Sequence, residues 1–173
     1  MSQPFISTAP SPSHSHSPSP SPRYVLPQPN ANVIWRAAWL SFLSSIYALT
    51  HPDTVYIAIV PAAVLTTSLN YWRDPVRDSW RRTIDIYVVY SGIGVICSYA
   101  YYYLDNTKTV IHKHAFFYLI FTSFMCYIIS EYYLKRNQLW PATYAHACIH
   151  IFANIANIVL CEGVVAANIV SPE

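Results

Sequence analysis

The sequence predicts an all-α fold, a multi-pass bundle of about five transmembrane helices that follows a disordered N-terminal tail. The first observation is composition, because the 173 residues are 54% hydrophobic and only 10% charged, whereas soluble domains carry roughly a quarter charged residues. The second is the presence of 15 tyrosines and 5 tryptophans, which concentrate at the two membrane interfaces. The length of the chain suits one domain.

Residues 1–31 are predicted to form a disordered, Ser/Pro-rich cytoplasmic tail, and residues 32–173 the transmembrane domain. Ser-Pro dipeptides dominate the tail, and it has too few apolar side chains to offset the entropy cost of ordering it. The first residues also lack the basic and then apolar pattern of a secretory signal. We therefore expect the first transmembrane helix to direct the chain to the membrane.

Five apolar segments follow the tail, and short polar turns separate them. The first two are short for a membrane span, which needs about 20 residues. Pro61 is expected either to kink the second or to leave backbone carbonyls free for a partner. Asn137 and Pro141 are typical of a helix start, and they mark the beginning of the fifth segment. The segments cover residues 33–49, 54–69, 83–104, 115–134 and 141–160.

Basic residues are distributed unevenly between the two ends of these segments. With five spans, eight of the ten lysines and arginines fall on the side of the N-terminus, and only Lys108 and Lys113 fall on the other. Because basic loops stay in the cytoplasm, we expect a cytoplasmic N-terminus and a lumenal or extracellular C-terminus. The net charge of +2 does not indicate a nucleic-acid partner, and membrane lipids are the expected partners.

The fifth segment carries a row of polar residues that is unusual for a membrane span. Helical spacing places Thr143, His146, His150, Asn154 and Asn157 on one face. A polar group that faces lipid without a partner costs several kcal/mol. The row is therefore expected to face protein or a wet cavity.

Four of the predicted helices bring polar side chains to one level near the cytoplasmic face. Ser68 lies at the end of the second segment and Asp85 at the start of the third, while Glu131 lies near the end of the fourth. His146 and His150 lie in the first turns of the fifth segment. Because consecutive spans run in opposite directions, these five side chains are expected to converge.

Three stretches around these residues resemble the signatures of the CREST superfamily of membrane hydrolases, which includes alkaline ceramidases, progestin and adiponectin receptors and haemolysin III-like proteins. The stretches are S-L-N-Y-W at 68–72, R-R-T-I-D-I-Y at 81–87 and H-A-C-I-H at 146–150. The resemblance implies a zinc-dependent hydrolase that acts on lipid amide bonds, with Ser68 and Asp85 as catalytic residues and His146 and His150 as zinc ligands.

The sequence departs from that superfamily in two respects. Trp72 stands where the family has its remaining histidine ligand, and five spans are predicted where the family has seven. A catalytic zinc ion normally has three protein ligands and a water molecule. Asp85 or Glu131 would complete a set of two histidines and one carboxylate. The resemblance therefore implies a divergent and shortened relative.

Three functional interpretations stay open at this point. The chain is an enzyme, or a small transporter or proton relay that uses the His/Asn row, or a non-enzymatic scaffold whose buried polar groups hydrogen-bond between helices. The cysteines do not separate these classes, because all four lie within apolar segments without the spacing of a metal site. They are predicted to be reduced thiols.

Overall fold

The chain is all-helical in the computed structural model, which describes residues 23–105, 107 and 109–169. The only strand-like feature in these residues is an isolated bridge between Tyr24 and Val76. The all-α prediction is therefore confirmed for the described part of the chain. The helices are α1 (Gln28–Ala38), α2 (Leu40–Leu49), α3 (Ile59–Trp72), α4 (Trp80–Tyr103), α5 (Val110–Lys135) and α6 (Leu139–Ile169), with a short 3₁₀ turn at Pro52–Thr54.

Three of these helices are long and apolar enough to cross a membrane. They are α4, α5 and α6, whose apolar windows have mean hydropathies of 1.4, 1.4 and 1.8. The first predicted segment is divided between α1 and α2, because i to i+3 hydrogen bonds at Trp39 interrupt the helix. Helix α3 has only 14 residues. Of the five predicted spans, three are therefore candidate spans by length and composition within the described residues.

Pro61 does not kink the second segment. Helix α3 begins at Ile59, so Pro61 lies in its first turn, where the missing N–H removes no helical hydrogen bond. The residues before α3 form separate turns, with Ile57 N donating to Thr54 O at 2.9 Å and Ala58 N donating to Val55 O at 3.2 Å. The proline therefore starts the helix instead of bending it.

Residues 23–27, here called the strap, hold the beginning of the described chain against the link between α3 and α4. Val25 N donates to Pro75 O at 3.0 Å, and Arg77 N donates to Arg23 O at 3.0 Å. Leu26 is buried. Helix α1 then begins at Gln28, so residues 23–31 belong to the described fold although the sequence placed them in the tail. Residues 1–22 of the predicted tail lie outside the described residues.

Helix α6 is the central element of the bundle. Helix α5 packs along one side of it, and α1 and α2 pack on another. Helix α4 packs mainly against α3 and makes few contacts with α5 and α6. Space therefore remains between α4 and the α5–α6 pair, and the polar residues of α6 lie beside it.

Candidate functional site

A cavity of about 650 Å³ occupies the space between α3, α4, α5 and α6. Because the helices alternate in direction, the end of α3, the start of α4, the end of α5 and the start of α6 meet at one end of the cavity. This polar end is lined by Ser68, Trp72, Arg82, Asp85, Glu131, His146 and His150. The opposite, apolar end is lined mainly by Val60, Pro61, Ile96, Phe117, Ile120 and Phe121.

Ser68 and Asp85, the predicted catalytic pair, are in direct contact at the polar end. Ser68 Oγ donates to Asp85 Oδ1 at 2.7 Å, and Thr67 Oγ1 donates to the same oxygen at 2.9 Å. Ser79 caps α4 by accepting a hydrogen bond from Arg82 N at 3.3 Å, which fixes the turn that presents Asp85. Two hydroxyl donors thus compensate for the burial of this carboxyl group.

His146 and His150, the predicted zinc ligands, lie one turn apart at the same end. Their ring centroids are 6.0 Å apart, and the His146 ring packs edge-on against Trp72 with centroids 4.7 Å apart. His150 is buried, and its Nε2 has no hydrogen-bond partner among the described residues. The histidine pair therefore has an aromatic neighbour where the resemblance would place a further nitrogen ligand.

The described residues do not supply a complete zinc site. No group of three His, Cys, Asp or Glu side chains in residues 23–105, 107 and 109–169 is arranged to hold a metal ion. Asp85 is engaged by Ser68 and Thr67, and Glu131 lines the cavity without forming such a group. The side chains in this part of the chain therefore do not fit a three-ligand zinc centre.

The polar row of α6 is directed into the protein, but its members have different environments. Thr143 Oγ1 accepts from Asn30 Nδ2 of α1 at 2.9 Å. Asn154 Oδ1 accepts from Ser44 Oγ of α2 at 2.5 Å, and its Nδ2 donates to Ser41 Oγ at 3.2 Å and to His150 O at 2.6 Å. These residues join α6 to α1 and α2 by hydrogen bonds.

Asn157 differs from Asn154 although it lies only one turn away. It is buried and lines the cavity, and its Oδ1 has no hydrogen-bond partner in the described part of the chain. The buried residues that follow on α6 are apolar, namely Leu160, Cys161 and Val164. The polar row therefore ends at Asn157 in the described residues, whereas a transport path would have to continue beyond it.

The cavity is open on one side, between α4 and α5. Several residues that line it are also exposed to the outside of the protein, including Tyr90 at 58% and Phe121 at 59%. These residues lie at the gap between the two helices. We call this gap the lateral opening; its exposed residues are Ile86, Tyr90, Ile93, Phe121, Phe124 and Tyr127.

Sequence reasoning identified the polar end but missed the lateral opening and the partners of Asn154. Ser41 and Ser44 belong to a serine-containing apolar segment, L-S-F-L-S-S, and serine in a membrane segment is a signal for contact with another helix. No signal of this kind marks Tyr90 or Phe124, because exposed aromatic residues are expected throughout a membrane protein.

Comparison of the chain with protein-family models, with curated proteins and with solved structures finds no match. A function for the chain therefore has to be inferred from its own geometry. Membership of the CREST superfamily stays a prediction from the short stretches at 68–72, 81–87 and 146–150.

Proposed function

We propose that this chain is an integral membrane protein that binds an amphipathic lipid in the cavity. The polar group of the lipid lies near Ser68, Asp85 and His150, and its hydrocarbon chain extends toward Phe117. The observation that carries the proposal is the lateral opening, because it connects a cavity with one polar and one apolar end to the surface between two candidate membrane helices.

The size and lining of the cavity support a lipid ligand. Small-molecule sites in proteins occupy roughly 300–1,000 Å³ and are mostly apolar with a few polar groups, and this cavity has a volume of about 650 Å³. The residues of the lateral opening are aliphatic or aromatic, and they would face hydrocarbon in a bilayer. A ligand dissolved in the membrane could therefore enter between α4 and α5, past the hydroxyl groups of Tyr90 and Tyr127.

The distribution of charge supports the membrane arrangement that accompanies this proposal. We infer that α1 with α2, α3, α4, α5 and α6 form five membrane segments, with the N-terminus in the cytoplasm and the C-terminus lumenal or extracellular. The strap, the link between α3 and α4 and the first turn of α4 carry Arg23, Arg73, Arg77, Arg81 and Arg82. This places the polar end of the cavity toward the cytoplasmic leaflet.

A cavity-filling substitution tests lipid binding. The full chain in detergent micelles is titrated with 1-octadecanol, and bound molecules are counted by native mass spectrometry. We expect saturable binding of one molecule per chain. Val89→Trp, on the cavity lining, should weaken binding at least tenfold, whereas Val95→Trp on the outer face of the same helix should not. Equal binding by both variants would contradict the proposal.

A divergent relative of the metal-dependent lipid hydrolases, altered at one zinc ligand, is the second candidate. The observation that favours it is the convergence of Ser68, Asp85, His146 and His150 at one end of the cavity, with Trp72 against His146. In this interpretation Trp72 replaces a ligand, and the site is an altered form of the family's zinc centre. Zinc binding by a Trp72→His variant tests this candidate separately from lipid binding.

A further inference from the structure

Asn157 places one unpaired hydrogen-bond acceptor at the apolar end of the cavity. The residue is 6% exposed, and Oδ1 has no hydrogen-bond partner among the described residues. A buried polar atom without a partner destabilises the folded protein, so its presence in a cavity wall requires an explanation. The neighbouring Asn154 shows that an amide on this helix can be fully bonded inside the protein.

The distance from Asn157 to the polar end follows from the positions of Asn157 and the histidine pair along α6. The rings of Trp72 and His146 are in contact. His150 lies one turn deeper on α6, and it lines the cavity together with Ser68. Asn157 is seven residues beyond His150 on the same face, about 10 Å further along the axis at 1.5 Å per residue.

The described residues give Asn157 Oδ1 no side-chain partner, and the cavity wall near its level is apolar. Eleven residues separate His146 from Asn157, and the position equally far from Trp72 on α3 is Pro61. Cavity residues near that level include Val60, Ile96 and Phe117, which have no side-chain hydrogen-bonding groups. Among the described residues, none donates a hydrogen bond to Asn157 Oδ1, and Asn157 lines the cavity.

We propose that the ligand carries a second hydrogen-bond donor, a hydroxyl group or an amide N–H, about 10 Å from its polar end, and that Asn157 Oδ1 accepts from it. The ligand class is a lipid with a functional group within its hydrocarbon chain, in addition to a head group. This inference rests on the proposed lipid binding and makes it more specific. Asn157 would then favour a lipid with a hydroxylated hydrocarbon chain over a lipid with a plain chain.

Two diols of equal composition test this assignment. The compounds are 1,10-octadecanediol, whose second hydroxyl group lies near mid-chain, and 1,2-octadecanediol, whose hydroxyl groups are adjacent. Binding to the full chain in detergent micelles is measured by native mass spectrometry, with 1-octadecanol as the reference. We expect the wild type to prefer the 1,10-diol by about fivefold, the ratio that one net hydrogen bond of about 1 kcal/mol gives.

Two variants separate the contribution of Asn157 from general effects on the fold. Asn157→Leu should bind both diols equally and should retain binding of 1-octadecanol. His112→Leu is the matched control, because His112 Nδ1 is also buried and unpaired among the described residues but does not line the cavity. This control should keep the preference. If Asn157→Leu does not fold, the ratio of the wild-type affinities for the two diols tests the proposal without this variant.

The outcomes distinguish the two proposals. Saturable binding of 1-octadecanol with no preference between the diols would overturn the assignment of Asn157 and leave lipid binding intact. A preference that survives in Asn157→Leu would also overturn it. Absence of saturable binding for all three compounds would overturn both proposals together.

Discussion

The two sides of α6 use polar residues in opposite ways. Toward α1 and α2, the buried polar groups bond one another: Asn30 donates to Thr143, and Ser41 and Ser44 bond Asn154. Toward α4 the same helix lines a cavity, and His150 Nε2 and Asn157 Oδ1 have no partners in the described chain. One helix therefore carries both an interface that holds the bundle together and a surface that is free to bind something else.

The difference suggests which polar residues of a membrane helix belong to the fold and which to function. A polar group satisfied by another helix contributes to packing and can be explained without a ligand. A buried group that lines a cavity without a partner destabilises the protein until something bonds it. Substitution of a polar group bonded by another helix should change stability, whereas substitution of an unpaired group in the cavity wall should change binding. The two effects can be tested separately.

The largest expected effect distinguishes a residue of the packed core from a residue of the lateral opening. Phe116 is fully buried on α5, whereas Phe124 is 52% exposed and lines the cavity. Phe116→Ala should lower the free energy of unfolding by about 3 kcal/mol, because a large buried side chain is lost. Phe124→Ala should change it by less than about 0.5 kcal/mol but should weaken binding of 1-octadecanol. Thermal unfolding in detergent and native mass spectrometry measure the two effects.

A substitution at Trp72 should affect both the packed core and the cavity, because this residue packs with Leu26 and Ile34 and also lines the cavity. Trp72→His should lower stability by about 2 kcal/mol through lost packing. The new imidazole beside His146 and His150 should then bind zinc, and added zinc should raise the melting temperature. The wild type and the double variant with His150→Ala should show a much smaller zinc-dependent shift.

Zinc analysis of the same three proteins decides the second candidate function. Zinc bound at one ion per chain in Trp72→His, but not in the double variant, would support a site altered at one ligand. If zinc is absent from all three after purification with zinc supplied, the histidine pair does not belong to a metal site. Lipid binding would be unaffected by that result.

The smallest expected effect concerns the bonded interface of α6. Asn154→Leu should lower stability by about 1–2 kcal/mol, the scale of hydrogen bonds between membrane helices, since Ser41 and Ser44 lose their partner. Ile155→Asn, one residue along and 42% exposed, should instead impair insertion, because it places a polar group toward lipid. The reverse ranking in folding yield and thermal stability would show that the two faces of α6 have been exchanged.

The sequence was sufficient to predict the helical class and the residues that meet at the polar end. Both follow from local properties, namely apolar segments for the helices and antiparallel succession for the convergence of Ser68, Asp85 and His146. The interruption at Trp39 and the late start of α3 were not predictable in this way, since both depend on turns stabilised by i to i+3 hydrogen bonds. The lateral opening also escaped prediction, because it results from the placement of α4 against α3 rather than from any motif.

The short length of α3 has a consequence for the membrane around the protein. A helix of 14 residues rises about 21 Å at 1.5 Å per residue, less than the hydrocarbon core of about 30 Å. In the proposed five-span arrangement, the turn before α3 must then lie within the bilayer, where its backbone needs partners. Thr54 is fully buried there and donates to Ala48 O at 2.7 Å. Hydrophobic mismatch at α3 decreases as the bilayer becomes thinner, so this side of the molecule is better matched to a thin membrane than to a thick one.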